Sequence, residues 1–120
     1  MTLEEEFERQ IKAAINLEQL AKPLQELLSG RYSVWHDGRL YCIKALVEQV
    51  RDVKVIIRPN DHPPPHFHVL GQKFNASFDI ESGDLLEGQI DTLHHRLIRV
   101  WHKTAIPKLQ KTWLETRPGS

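Results

Sequence analysis

The chain has 120 residues, of which 40% are hydrophobic and 27% charged, and its formal net charge is zero. This length suits one domain with a hydrophobic core and is short for two. The single cysteine, Cys42, excludes an intramolecular disulfide and a zinc site built from cysteines, so we expect a reducing compartment. The acidic amino terminus is unlike a signal peptide, and no apolar run approaches the roughly 20 residues of a membrane span. We therefore expect a cytoplasmic protein.

Charge is spread unevenly along the chain. Residues 1–30 carry six acidic and three basic side chains, whereas residues 94–120 carry six basic side chains and one acidic. This asymmetry fits an anionic partner at the basic end, attraction between the two ends, or two solvated helix faces. The three explanations stay open at this point.

Residues 3–28 are predicted to be helical. Thr2 and Glu5 have the spacing of a capping box at the start. Pro23 should kink or divide the helix near residue 22, and Ser29-Gly30 should end it. The apolar stripe can serve the core, a protein partner or a second copy of the chain, so we expect either burial or a homo-oligomer through residues 3–28. The stripe comprises Leu3, Phe7, Ile11, Ala14, Leu17, Ala21, Leu24 and Leu28.

The middle of the chain is predicted to form short antiparallel strands. Residues 31–43 have the pattern of a hairpin, with Asp37-Gly38 supplying the positive φ angles of its turn. A short helical turn is expected around Leu46, Val47 and Val50. Alternating or continuous apolar residues then predict four further strands. These are residues 53–57, 66–70, 74–80 and 85–90, with a turn at residues 81–84.

A second helical region begins at Asp91 or Thr92. Its apolar face continues to Trp113, and Pro107 predicts either two consecutive helices or one kinked helix. The Arg117-Pro118-Gly119-Ser120 segment is expected to be a frayed tail. The predicted fold is α+β, with a small antiparallel sheet packed by a C-terminal helix. We divide it into an N-terminal helical extension at residues 1–30 and an α+β domain at residues 31–120.

Residues 61–69, Asp-His-Pro-Pro-Pro-His-Phe-His-Val, hold three of the seven histidines beside three prolines. On a strand, His66 and His68 would point to the same side with Cα atoms about 6.7 Å apart. They could share a metal ion with His62, Asp61 or an acid such as Asp79. Extended polyproline would place His62 about 12 Å from His66, and a turn or a cis proline would shorten that distance.

Two other interpretations of this segment remain. In the first, His62, His66 and His68 are acid–base groups, Asp61 orients one of them, and the chemistry is metal-free phosphodiester cleavage or activation of water. In the second, the prolines only shape the loop, and His66 and His68 face solvent or a partner while Phe67 and Val69 pack inward. We take the four polar residues as the catalytic candidates and assign no metal ligand and no cofactor.

The C-terminal helix carries a basic face. Arg96, Arg99 and Lys103 recur at steps of three and four residues, so they lie on one side of the helix. Such a face can neutralise phosphates of RNA or DNA, contact an acidic protein, or simply be solvated. These three residues are the nucleic-acid-binding candidates, although a net charge of zero argues against an obligate nucleic-acid binder.

The segment Asn60-Asp61-His62-Pro63-Pro64-Pro65-His66-Phe67-His68-Val69 resembles the signature of the bacterial family called domain of unknown function 4160. The resemblance continues through residues 78–88 and ends at Trp101-His102-Lys103 and Lys111-Thr112-Trp113, so that it covers about residues 53–116. The residues that match the family's motif are Asp61, His62, His66 and His68.

The resemblance implies a biological setting. Members are often encoded beside a second small protein, and the pairs look like toxin–antitoxin or related two-gene modules. This implies a small protein partner encoded by the adjacent gene and, more weakly, an activity on RNA. Our leading hypothesis is therefore a component of such a module with the histidine–proline loop as its working surface. A non-enzymatic interaction module and a metal-binding protein are the alternatives.

Overall fold

The computed structural model describes residues 2–43, 49–72 and 74–117. Within them, six strands were expected and six are found, in an α+β arrangement that confirms the predicted fold class. None of the described helices has the length and apolarity needed to cross a membrane. In chain order the elements are α1 (Leu3–Ala13), α2 (Leu17–Leu27), β1 (Tyr32–Val34), β2 (Leu40–Cys42), β3 (Lys54–Ile56), β4 (His66–Gly71), β5 (Phe74–Asp79), β6 (Leu85–Gly88) and α3 (Thr92–Glu115).

The N-terminal helical region is divided in a different place from the one predicted. Thr2 caps α1 as expected, since its hydroxyl accepts a hydrogen bond from the Glu5 amide at 3.1 Å. The division falls at residues 14–16, however, and Pro23 lies inside α2. Asn16 explains the new start, because its side-chain oxygen accepts a hydrogen bond from the Gln19 amide at 2.8 Å and caps α2. The prediction of a break near residue 22 was therefore wrong.

The predicted strands are confirmed, with some shorter than expected. β1 and β2 form an antiparallel hairpin, and the turn between them is closed by a 2.9 Å hydrogen bond from the Gly38 amide to the Trp35 carbonyl. Strands β3 to β6 form a second antiparallel sheet in the order β3–β4–β5–β6. The helical turn predicted around Leu46 and Val47 lies outside the described residues.

One core joins the helices to the sheet. Phe67 on β4 and Phe78 on β5 are paired across the sheet with ring centroids 5.5 Å apart, and both are fully buried. Trp101 of α3 packs on Phe67 at 5.6 Å, and its indole nitrogen donates to the Leu20 carbonyl of α2 at 2.9 Å. α3 is a single helix that includes Pro107, so the alternative of two consecutive helices was wrong.

The apolar stripe of the N-terminal helices is buried against other parts of the same chain. Phe7 and Ile11 are 5% and 1% exposed, and α1 and α2 both pack against α3. Ile15, between the two helices, is 82% exposed. The apolar side chains of α1 and α2 pack on the apolar face of α3. They therefore belong to the same hydrophobic core as the buried side chains of the sheet.

His102 of α3 makes the stability of this core depend on pH. Its ring stacks on Phe67, and its Nε2–H donates to the Ile80 carbonyl at 2.6 Å. Burial lowers the pKa of His102 below its usual value of 6.5, and the nearby Arg99 lowers it further. The folded protein therefore keeps this ring neutral at a pH where the unfolded chain protonates it.

We expect the free energy of unfolding to fall as the pH drops below about 6.5, down to the lowered pKa of the folded state. Above that value both states carry a neutral ring and His102 adds no pH dependence. Urea unfolding of the wild type and of His102→Gln between pH 8 and pH 5 measures this contribution. Below pH 6.5 the free energy of unfolding should fall less steeply with decreasing pH in the variant than in the wild type. Equal slopes in the two proteins would show that His102 does not contribute to the pH dependence.

Candidate functional site

The histidine–proline segment forms a loop that leads into β4. It begins after β3 with a turn in which the Asp61 amide donates to the Arg58 carbonyl at 3.3 Å. The peptide bond between Pro63 and Pro64 is cis. The chain then enters β4 at His66, whose partner on β5 is Asp79. The loop places Asp61 beside the first residues of β4.

Asp61, His66 and His68 form a cluster, which we call the Asp–His cluster. One carboxylate oxygen, Oδ2 of Asp61, lies 3.2 Å from Nε2 of His66 and 3.0 Å from Nε2 of His68. The two imidazole rings meet edge to face with centroids 5.1 Å apart. Alternation along β4 points both histidines to the same side, as predicted, and the loop supplies the carboxylate.

The cluster is largely shielded from solvent. The side chains of Asp61, His66 and His68 are 19%, 12% and 11% exposed. Burial acts to raise the pKa of the Asp61 carboxyl, but the hydrogen bond from His68 and the charges of His66 and His68 outweigh it, so this pKa lies below its usual range. The interpretation in which His66 and His68 face solvent or a partner does not fit two side chains that are almost equally shielded. Phe67 and Val69 do pack inward.

The other predicted ligands take different positions. His62 is exposed, and its ring centroid lies 6.5 Å from that of His66, so it borders the Asp–His cluster without joining it. Asp79 accepts hydrogen bonds from the amides of Glu81 and Ser82 and holds the turn after β5. Of the acids that the sequence offered as a third ligand, Asp61 is the one placed beside both histidines.

Two residues near the C-terminus, which the sequence did not assign to the site, border the cluster. Trp113 of α3 lies 5.5 Å from the His66 ring, centroid to centroid. The Arg117 guanidinium covers the Trp113 ring at 3.6 Å and donates to the carbonyls of Asp61 and Arg58. The expectation that Arg117 belongs to a frayed tail was therefore wrong, because tertiary contacts with a loop 56 residues earlier hold it in place. Local sequence carries no signal for such a contact.

Arg58 supplies a cation at the cluster. Its side chain is exposed, and Nη1 lies 3.4 Å from Nε2 of His68. A guanidinium has only donors, so it can bind an anion that approaches the cluster from solvent. The arrangement thus combines two imidazoles, one carboxylate and one accessible cation, which is a set suited to proton transfer or cation binding next to an anionic substrate.

The predicted basic face of α3 lies elsewhere. Arg96, Arg99 and Lys103 line a cleft of about 460 Å³ between α3, α1 and the β1–β2 hairpin. Arg99 is engaged by Asp84 at 2.6 Å and by the Ser82 carbonyl at 3.2 Å, and its hydrogen bond lowers the pKa of Asp84. At a helical rise of 1.5 Å per residue, Lys103 is about 15 Å along the helix axis from Trp113. The basic face and the Asp–His cluster are therefore separate surfaces.

Comparison with known proteins gives one family match. No curated protein matches the chain, and no solved structure matches it. The family model described as "Domain of unknown function (DUF4160)" matches residues 53–114, slightly more than half of the chain. These residues include all of β3 to β6, the histidine–proline loop and α3 as far as Leu114. The protein therefore belongs to the DUF4160 family.

Proposed function

We propose that this protein is one component of a toxin–antitoxin-like two-gene module, acting in the cytoplasm on RNA through the Asp–His cluster. The observation that carries the proposal is the convergence of His66 and His68 on a single oxygen of Asp61, at 3.2 and 3.0 Å. Carboxylates orient imidazoles in this way where a histidine must gain or lose a proton during a reaction. The two-gene setting and the partner encoded by the adjacent gene rest on the family resemblance.

RNA suits the chemistry of the cluster because its 2′-hydroxyl is an internal nucleophile. Within the described chain, no serine or cysteine hydrogen-bonds to the side chains of Asp61, His66 and His68, so a nucleophile from the substrate or from water is required. His62 is exposed beside His66 and supplies a third imidazole, on the solvent side of the cluster. Cleavage would then use one group that takes a proton from the 2′-hydroxyl and another that returns a proton to the leaving oxygen.

Two cationic regions would bind the phosphates. Arg58 is adjacent to the cluster and exposed, so it is placed to contact the phosphate at the reacting position. Arg96 and Lys103 would hold more distant phosphates along α3, while Arg99 is partly neutralised by Asp84. Glu4, Glu8 and Glu81 also line the cleft beside these bases, which limits its attraction for nucleic acid.

The test combines growth with RNA cleavage. The protein is expressed alone and with the product of the adjacent gene, and purified protein is incubated with a labelled single-stranded oligoribonucleotide. We expect growth arrest that the neighbour relieves, together with cleavage of the RNA. His66→Gln should reduce cleavage by at least 100-fold, on the scale of a lost acid–base group (~10²–10⁴). His36→Gln, an exposed histidine of the hairpin turn, is the matched control and should cleave like the wild type.

Two results would overturn the proposal. One is the absence of any growth effect, whether the protein is expressed alone or together with its neighbour. The other is RNA cleavage that His66→Gln leaves unchanged, because activity would then arise outside the Asp–His cluster.

A non-enzymatic interaction module is the second candidate, and the β1–β2 hairpin favours it. Trp35 at the hairpin turn is 52% exposed and lies against Tyr41, with ring centroids 4.7 Å apart. Exposed tryptophans are frequent anchors of protein interfaces. If this candidate is correct, Trp35→Ala abolishes binding to the neighbour's product in a pull-down while His66→Gln retains it.

A further inference from the structure

We infer that Asp61, His66 and His68 bind a divalent transition-metal ion of the zinc class. The ligand atoms that these residues offer, one carboxylate oxygen and two imidazole nitrogens, all lie within 4.8 Å of one another. This inference goes beyond the proposed function because it names a ligand for the Asp–His cluster. A role of the ion in RNA hydrolysis would rest on that function, whereas binding itself does not.

The hydrogen bonds of His66 provide the first argument. Its Nδ1 lies 2.7 Å from the Pro64 carbonyl oxygen, which can only accept, so Nδ1 must carry the proton. In a neutral imidazole the other nitrogen, Nε2, then presents a lone pair. That lone pair faces the Asp61 carboxylate oxygen at 3.2 Å. Two electron-rich atoms at this distance repel each other unless a cation, either a second proton or a metal ion, lies between them.

Distances provide the second argument. Zinc bonds of about 2.0–2.2 Å to nitrogen and oxygen place neighbouring ligands of a tetrahedral site about 3.3–3.5 Å apart. The two nitrogen-to-oxygen separations are 3.2 and 3.0 Å, so an ion fits with shifts of a few tenths of an ångström along these edges. The edge between the two imidazole nitrogens is at most 4.8 Å.

The surroundings of the ligands provide the third argument. Histidines that bind metals commonly donate the other ring N–H to a backbone carbonyl, which fixes the ring and leaves its lone pair directed at the ion. The bond from His66 to the Pro64 carbonyl has this form. Arg117 donates to the Asp61 carbonyl and stacks on Trp113, so the residue that supplies the carboxylate is also held from α3.

The ligand set indicates the kind of ion. Two imidazoles and one carboxylate suit zinc, cobalt, nickel, iron and manganese better than calcium or magnesium, which prefer oxygen ligands. Three protein ligands leave at least one coordination position for water, as in catalytic rather than structural zinc sites. Such an ion would activate the 2′-hydroxyl or a bound water for the proposed RNA cleavage.

The test uses the full chain without a histidine tag, stripped of metal with a chelator that is then removed. Zn²⁺ is titrated by calorimetry, and Co²⁺ is titrated by visible absorption, whose d–d bands report the coordination number and geometry of the bound ion. We expect one ion per chain. Asp61→Asn and His66→Gln should each weaken Zn²⁺ binding by at least 10-fold, and His36→Gln should bind like the wild type. Circular dichroism of each variant confirms that it is folded.

The inference is overturned if stripped protein binds less than one Zn²⁺ per chain, or if the cluster variants and His36→Gln bind Zn²⁺ equally well. RNA cleavage in excess chelator separates the two proposals. Undiminished cleavage by metal-free protein would remove the ion from the reaction and leave the proposed function standing. Stoichiometric binding at the cluster in a protein without RNA cleavage or a growth effect would support the metal site and contradict the proposed function.

Discussion

Replacing Trp101 with alanine should cost about 3–5 kcal/mol of the free energy of unfolding, the range for truncating a fully buried large aromatic side chain. Trp101 is 0% exposed, packs on Phe67 of the sheet and donates to the Leu20 carbonyl of α2. One side chain therefore connects α3, the sheet and the N-terminal helices. Since small domains have stabilities of only about 5–15 kcal/mol, we expect the variant to lose a large share of its stability.

Urea denaturation followed by circular dichroism measures this loss. Trp35→Ala is the matched control, because Trp35 is half exposed and its main contact is with the Tyr41 ring. Its cost should be about 1 kcal/mol, the scale of one aromatic pair. Equal losses in the two variants would show that α3 does not join the sheet to the N-terminal helices in the way described.

The second large effect is expected at Gly88, at the end of β6. Its φ is +92°, and a Cβ atom placed there would lie 2.3 Å from the Asn75 carbonyl oxygen and 2.9 Å from Cα of Ala76. Gly88→Ala should therefore lower the free energy of unfolding by about 1–2 kcal/mol, because alanine disfavours the left-handed backbone conformation. The collision should lower the free energy of unfolding by about a further 1–3 kcal/mol, because backbone atoms of β5 would have to move.

Gly38 in the hairpin turn separates the two contributions. Its φ is +90°, but a Cβ atom there meets nothing within 4 Å. Gly38→Ala should therefore lower the free energy of unfolding only through the backbone conformation. The difference in free energy of unfolding between the two variants, obtained by urea denaturation, measures the collision with β5. A Gly88→Ala variant no less stable than Gly38→Ala would mean that β6 does not approach β5 so closely.

Much of the fold could be predicted because it depends on local patterns. The hairpin turn at residues 36–38, the alternation in β3 to β5 and the capping side chains of Thr2 and Asp91 all act within a few residues of one another, and each forms as expected. Within the turn only Gly38 has a positive φ, so the expectation of a positive φ at Asp37 was wrong. The position of the helix break could not be predicted, because Asn16 and Pro23 are both residues at which a helix can be interrupted. The break lies at Asn16, which caps α2, and Pro23 lies inside α2. Lys108 of α3 then donates to the Ala14 carbonyl at 2.6 Å, a tertiary contact that satisfies the end of α1.

The candidate site likewise depends partly on local sequence patterns and partly on tertiary contacts. By itself, the sequence determined that His66 and His68 share one side of β4, because side chains alternate along any strand. Only the tertiary structure decided that Asp61, rather than His62 or Asp79, lies between them. The fold of the proline loop sets that choice, and Arg117 holds the loop from a helix end 56 residues away. Contacts between such distant segments depend on how the helices and the sheet pack together, and no local pattern of residues encodes that packing.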